Sequence, residues 1–184
     1  LEVIFNQVKQ IREKSDIPIA LMGYYNPILK MGQESFIKEC TLSDIDGIIL
    51  PDLPLEEAKE FCYMSKSSKI SPILLVAPNS SKERIKKISE LAGDLIYAVS
   101  ILGITGNELS SKTKLKNYLN RVRENSQTPF VVGFGISTRE DVQWFNKHSD
   151  GAVVGSAIIE KLSTSKEIKL SIQNSIRSLK GKID

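Results

Sequence analysis

Apolar positions along this chain follow two alternating rhythms. Short runs that are apolar nearly throughout occupy 17–24 (IPIALMGY), 47–52 (GIILPD), 71–77 (SPILLVA), 94–100 (DLIYAVS), 129–133 (PFVVG) and 151–154 (GAVV). A strand covered on both faces reads this way, whereas a strand with one wet face alternates in and out. Between the runs, stretches at 33–41, 55–65, 82–92, 112–124, 139–147 and 166–179 carry apolar residues at helical period, and another helical stretch opens the chain at 1–14. Ser81, Thr138 and Ser165 stand directly before three of these stretches, where a side-chain oxygen can accept from the orphan N–H groups of a helix start.

Strand and helix alternate at roughly 25 to 30 residues per unit, a spacing that fits right-handed βαβ crossovers and a parallel sheet. A doubly wound dinucleotide fold would place a glycine-rich turn after its first strand. Here 17–24 is followed by Tyr25, Asn26 and Pro27 instead. Glycine-rich elements follow the last three strands, the layout of a phosphate site in a (β/α)₈ barrel. We therefore expect an α/β chain carrying about six of the eight βα units, one partial domain over 1–184. On that count about two units, some 70 to 80 residues, belong on the N-terminal side, and six units alone would leave strand edges and lumen open.

Composition narrows the partners. A hydrophobic content of 41% supports a real core, and a formal charge of +3 from 25 basic and 22 acidic residues gives no nucleic-acid footprint. The densest basic stretch, 82–87, interleaves with apolar residues at helical spacing and reads as a solvated helix face. Cys40 and Cys62 have no paired spacing, and His148 is the single histidine, so a metal site is not expected. No apolar run approaches the ~18 residues of a membrane span, and 1–14 lacks the layout of a signal peptide. A reducing, soluble compartment is the expectation.

Candidate chemistry gathers where strands end. Gly133-Phe134-Gly135-Ile136-Ser137 follows the fifth run, and Gly155-Ser156 follows the sixth and opens the turn 157–160. Glycine lets a ligand approach the backbone, and N–H groups, a serine hydroxyl and a helix N-terminus together suit a dianion. Gly103-Ile104-Thr105-Gly106 lies in a loop at 101–111 long enough to serve as a lid. Asp52, between Pro51 and Pro54, either aims at the barrel mouth or simply forms the turn. Tyr24 and Tyr97 either face the mouth or pack in the core with a bonded hydroxyl. Asp46 and Asp150 precede strands and belong to the stability face. His148 reads as a helix-end cation and Trp144 as a packing contact.

Five motifs, LMGYYNPI, GIILPDLPLEE, YAVSILGITG, VVGFGIS and VVGSAII, stand in the order and spacing of the tryptophan synthase α subunit, and the chain resembles that family over essentially its whole length. The resemblance implies retro-aldol cleavage of indole-3-glycerol phosphate to indole and glyceraldehyde 3-phosphate, in the cytoplasm or a plastid stroma. It implies no cofactor in this subunit, and a pyridoxal phosphate-bearing β subunit as partner in an α₂β₂ complex. The phosphate would be held by Gly106, Gly135, Gly155 and Ser156, with Phe134 between the binding glycines. Tyr97 would lie beside the indole, Thr105 would meet a catalytic carboxylate when its loop closes, and Tyr24 and Asn26 would lie at the mouth near the partner, as Asp52 would at its own strand end. The family's two catalytic carboxylates, a Glu and an Asp, would fall upstream of Leu1, so no catalytic residue is expected within this chain. A catalytically silent regulatory partner of the β subunit, or another phosphate-binding barrel enzyme, is the alternative.

Overall fold

The computed structural model describes residues 1–100, 108–165 and 167–181. In chain order it contains α1 (Glu2–Arg12), β1 (Ala20–Met22), α2 (Tyr25–Met31), α3 (Gln33–Leu42), β2 (Gly47–Ile49), α4 (Ala58–Ser67), β3 (Ser71–Val76), α5 (Lys82–Leu91), β4 (Ile96–Val99), α6 (Glu108–Asn125), β5 (Phe130–Gly133), α7 (Arg139–Asn146), β6 (Gly151–Val153), α8 (Ser156–Thr164) and α9 (Ile168–Lys180). The strands follow one another in the sheet in sequence order, and every expected apolar run contains one of them. They are the strands of six βα units.

Two compact units make up the chain: Leu1–Leu75 with Glu83–Ile96, and Val76–Lys82 with Tyr97–Asp184. In the first, β1 pairs parallel with β2, Ala20 opposite Gly47, and β2 pairs parallel with β3, Gly47 opposite Ser71. Its core is Phe36, Ile48, Ile70, Ile85, Ile88 and Ile96, closed by Ala58, Phe61 and the free thiols of Cys40 and Cys62. Burial pushes those thiols up, Cys40 to about 12 and Cys62 to about 11, so both stay protonated and unreactive near neutral pH. Asp46 does what its position before a strand suggested. Its carboxylate accepts from the Ile19 N–H at 2.7 Å and from Arg12 at 2.5 Å, anchoring the approach to β1.

The second unit pairs β5 with β6, also parallel, with Val131 opposite Gly151 and Gly133 opposite Val153. Its core is Val76, Leu119, Val122, Phe130, Val132, Ile136 and Phe145. The buried Tyr118 hydroxyl donates to the Val76 carbonyl at 2.9 Å, which ties α6 to the end of β3. Asp150, before β6, accepts from the Phe130 N–H at 2.8 Å and from Arg123, whose guanidinium also lies over the Phe130 ring.

Several expectations are corrected. β1 covers three residues rather than 17–24, because Pro18 has no N–H to donate and the Ile19 backbone is already engaged by Asp46 on both its N–H and its carbonyl. Helix α2 lies where no helical stretch was expected. Its Pro27 sits in the first turn, where no N–H is needed, and Gly32 ends it at φ +86°. α4 begins at Ala58 and not at 55, after turn hydrogen bonds from Glu57 to Pro54 and from Ala58 to Leu55. α6 begins at Glu108, so the end of the expected 101–111 loop is helical; residues 101–107 lie outside the described residues. The turn expected at 157–160 is part of the nine-residue α8. Ser165 is the C-cap of α8 rather than the N-cap of α9, which is Glu167.

Candidate phosphate site

The expected residues that are described fall into two groups, one in each unit. In the second unit, Tyr97 belongs to β4, Phe134 and Gly135 follow β5, and Gly155 and Ser156 follow β6. Gly133 is opposite Val153, so Gly135 and Gly155 each stand two residues beyond a paired position. The two turns thus leave adjacent parallel strands at the same, C-terminal, end. Neighbouring strands lie about 4.8 Å apart, which brings both turns within reach of one small ligand.

The turn after β5 has an unusual backbone. Phe134 has φ +75° and Gly135 φ +72°. Glycine adopts that region freely, but a phenylalanine there is held against its preference. Tyr97, buried at 6% exposure, meets the half-exposed Phe134 ring edge-on with centroids 5.8 Å apart. The Tyr97 hydroxyl lies only 1.8 Å from where a Cβ on Gly133 would sit, so glycine is required there for the ring to lie against the strand. Burial raises the Tyr97 phenol above its ordinary value, and the hydroxyl keeps its proton at neutral pH. Beyond the turn, Ile136 is buried and Thr138 caps α7. Thr138 Oγ1 accepts from the Asp141 N–H at 3.1 Å, while Asp141 Oδ2 accepts from the N–H groups of Thr138 and Ser137 at 3.0 and 3.1 Å. Partial burial lifts the Asp141 carboxyl, but those N–H groups and Lys112 outweigh it and hold it below the usual range.

The start of α7 is therefore occupied by its own capping box, whereas α8 starts on a glycine. Gly155 is the N-cap of α8 and has no side chain with which to cap it, and a Cβ on Gly155 would meet nothing within 4 Å. The first N–H groups of an α-helix have no partner within the helix, and they carry the positive end of its dipole. With the exposed Ser156 at the first helical position, this end of the chain presents N–H donors, a hydroxyl and open space. That suits an anion.

In the first unit, Tyr24 is the N-cap of α2 and Asn26 lies in its first turn, both exposed. Asp52 makes a structural contact. Its two carboxylate oxygens accept from the Tyr25 N–H at 2.9 and 3.0 Å, so the residue caps α2 from the segment after β2. Among the described residues it is the carboxylate found within three positions of a strand's C-terminal end. Thr105 and Gly106 lie outside the described residues. His148 stacks on Trp144 at 4.3 Å, with Nδ1 2.8 Å from the Trp144 carbonyl oxygen, at the end of α7 and remote in sequence from both turns.

Ser100 went unnoticed in the sequence. Its side chain, 1% exposed, sits just past β4, and its hydroxyl donates to the carbonyls of Gly133 and Phe134 at 2.8 and 2.5 Å. A serine after a strand carries no distinctive sequence signal, because the contact joins residues 34 apart. Among the described residues no group of three His, Cys, Asp or Glu could hold a metal ion, and no helix is long and apolar enough to cross a membrane.

Comparison with known proteins identifies the same architecture elsewhere. The family described as tryptophan synthase alpha chain matches residues 1–183. The tryptophan synthase alpha chain of Petrotoga mobilis is 40% identical over 177 residues, covering 96% of this chain and 69% of the relative. That of Dehalococcoides mccartyi is 37% identical over 183 residues, covering 100% of this chain and 71% of the relative. Among solved structures, a tryptophan synthase complex from Pyrococcus furiosus superposes with a TM-score of 0.88 at 33% identity, over 98% of this chain and 73% of that one. A second, described in terms of mutual activation of the tryptophan synthase α₂β₂ complex of the same organism, gives 0.87 at 35% identity, over 96% and 72%. The chain spans about seven tenths of the length of these relatives. The fold is theirs.

Proposed function

The chain belongs to the tryptophan synthase alpha chain family, and on that premise we propose that it binds the phosphate of indole-3-glycerol phosphate at the paired turns after β5 and β6. The observation that carries the proposal is the glycine N-cap of α8, which follows the strand paired with the one leading into the left-handed Phe134-Gly135 turn. The phosphate accepts from the N–H groups of Gly135, Gly155 and Ser156 and from the Ser156 hydroxyl. Tyr97 lies against the indole, and the raised Tyr97 phenol adds no charge next to it.

The reaction is retro-aldol cleavage. One group protonates the indole ring carbon, another removes the hydroxyl proton of the glycerol chain, and the C–C bond between them breaks to give indole and glyceraldehyde 3-phosphate. Asp52 is not offered as either group, since both its oxygens are engaged by the α2 backbone. By the family resemblance those two groups are a Glu and an Asp other than the described residues. This chain then supplies phosphate binding and the indole wall. Pyridoxal phosphate belongs to a β subunit partnered in an α₂β₂ complex, which Tyr24 and Asn26 face from the exposed start of α2. The setting is the cytoplasm, in line with bacterial and archaeal relatives.

Ser156→Asp in the full-length protein tests the reading. A carboxylate at the first position of α8 sets like charges in contact with the phosphate, and KM for indole-3-glycerol phosphate should rise at least about tenfold. An unchanged KM rejects the site. Binding without any indole release in the parent protein would instead identify a catalytically silent partner of the β subunit.

A further inference from the structure

Something must hold Phe134 at φ +75°, a conformation costly for a residue with a Cβ. The group in contact is Ser100. Its N–H donates to the Gly133 carbonyl at 2.9 Å, and its hydroxyl donates to the carbonyls of both Gly133 and Phe134. The side chain is sealed from water. A trans peptide is planar, and its carbonyl and N–H point in opposite directions. Fixing the Phe134 carbonyl on Ser100 therefore turns the N–H of Gly135 to the opposite side, away from the buried serine.

We propose that Ser100 is a positioning residue of the anion site: its buried hydroxyl clamps the Phe134 carbonyl and so aims the Gly135 N–H at the phosphate of a phosphate monoester. The inference rests on the assignment of the site to phosphate given above. It separates two jobs in the same turn. Tyr97 and Gly133 shape an apolar wall through ring packing, whereas Ser100 sets the direction of one donor and touches no ligand itself.

The test uses full-length protein and the phosphate monoester glycerol 3-phosphate, with affinity read by calorimetry and stability read by thermal melting. Ser100→Ala should weaken binding about tenfold, the scale of one lost hydrogen bond. Ser100→Thr, which keeps the hydroxyl, should stay within about twofold of the parent. Asp150→Asn loosens β5 and β6 at their other end, and it should lower the melting temperature without moving the affinity. If Ser100→Ala binds as the parent does while Ser156→Asp loses binding, the role of Ser100 is wrong and the site stands. If Ser156→Asp also binds as the parent does, the phosphate assignment itself falls. Should Ser100→Ala fail to fold, Ser100→Cys takes its place, with nearly the same volume and a weak donor; parental affinity in that variant overturns the proposal.

Discussion

At the scale of single residues, the tightest constraint is the contact between Gly133 and Tyr97. A methyl at Gly133 would lie 1.8 Å from the Tyr97 hydroxyl and 2.4 Å from the ring carbon that bears it, so relaxing the hydroxyl alone cannot relieve the clash. Gly133→Ala should destabilise the protein by about 1–3 kcal/mol through overpacking, read as a lower denaturant midpoint. Asp150 makes the pH dependence at this scale. Partial burial raises its carboxyl, but Arg123 and the Phe130 N–H outweigh that and hold it below the usual range. A carboxyl lowered on folding stabilises the protein above its unfolded value, near 3.9, and loses that contribution as pH falls through the folded value. Stability should therefore decline on acidification below about pH 4, and Asp150→Asn should flatten the decline. An unchanged acid limb in that variant would remove Asp150 from the account. Glycines and acids of this kind are legible in a sequence as positions. Their partners are not: Asp52 stays ambiguous until the Tyr25 N–H, 27 residues away, is seen to bind it.

At the scale of elements, the alternation of apolar runs and helical stretches locates all six strands, and it locates the helices wherever periodicity extends over three turns or so. It fails at α2, whose seven residues include Pro27 and whose cap comes from Asp52 rather than from its own flank. It fails again at Ser165, where a suitable residue in a suitable place ends α8. Thr138 is a start signal that works, because the partner Asp141 lies three residues on and completes a reciprocal pair. Thr138→Ala should cost about 1 kcal/mol of stability by freeing the Asp141 N–H, measured as a drop in urea midpoint at unchanged slope. One helix start, that of α7, is satisfied by its own side chains, while α8 starts on Gly155, which has none to offer.

For the whole molecule, burial is uneven in a way that the strand pattern did not announce. β3, β4 and β5 are largely buried, while β1 and β6 are partly exposed, and α8 and α9 bury no residue. Met22, Ile159, Ile168 and Leu170 are each between 47 and 64% exposed. Apolar surface of that extent promotes association. The 184-residue chain produced by itself should self-associate in light scattering; a monodisperse chain would contradict this. The central claim, that the turns after β5 and β6 hold a phosphate, has a more direct measurement. In amide NMR spectra of the full-length protein, glycerol 3-phosphate should shift the N–H resonances of Gly135, Gly155 and Ser156 most, and glycerol at the same concentration should leave them in place. Saturable shifts that avoid these three residues, or shifts that glycerol reproduces, would contradict it.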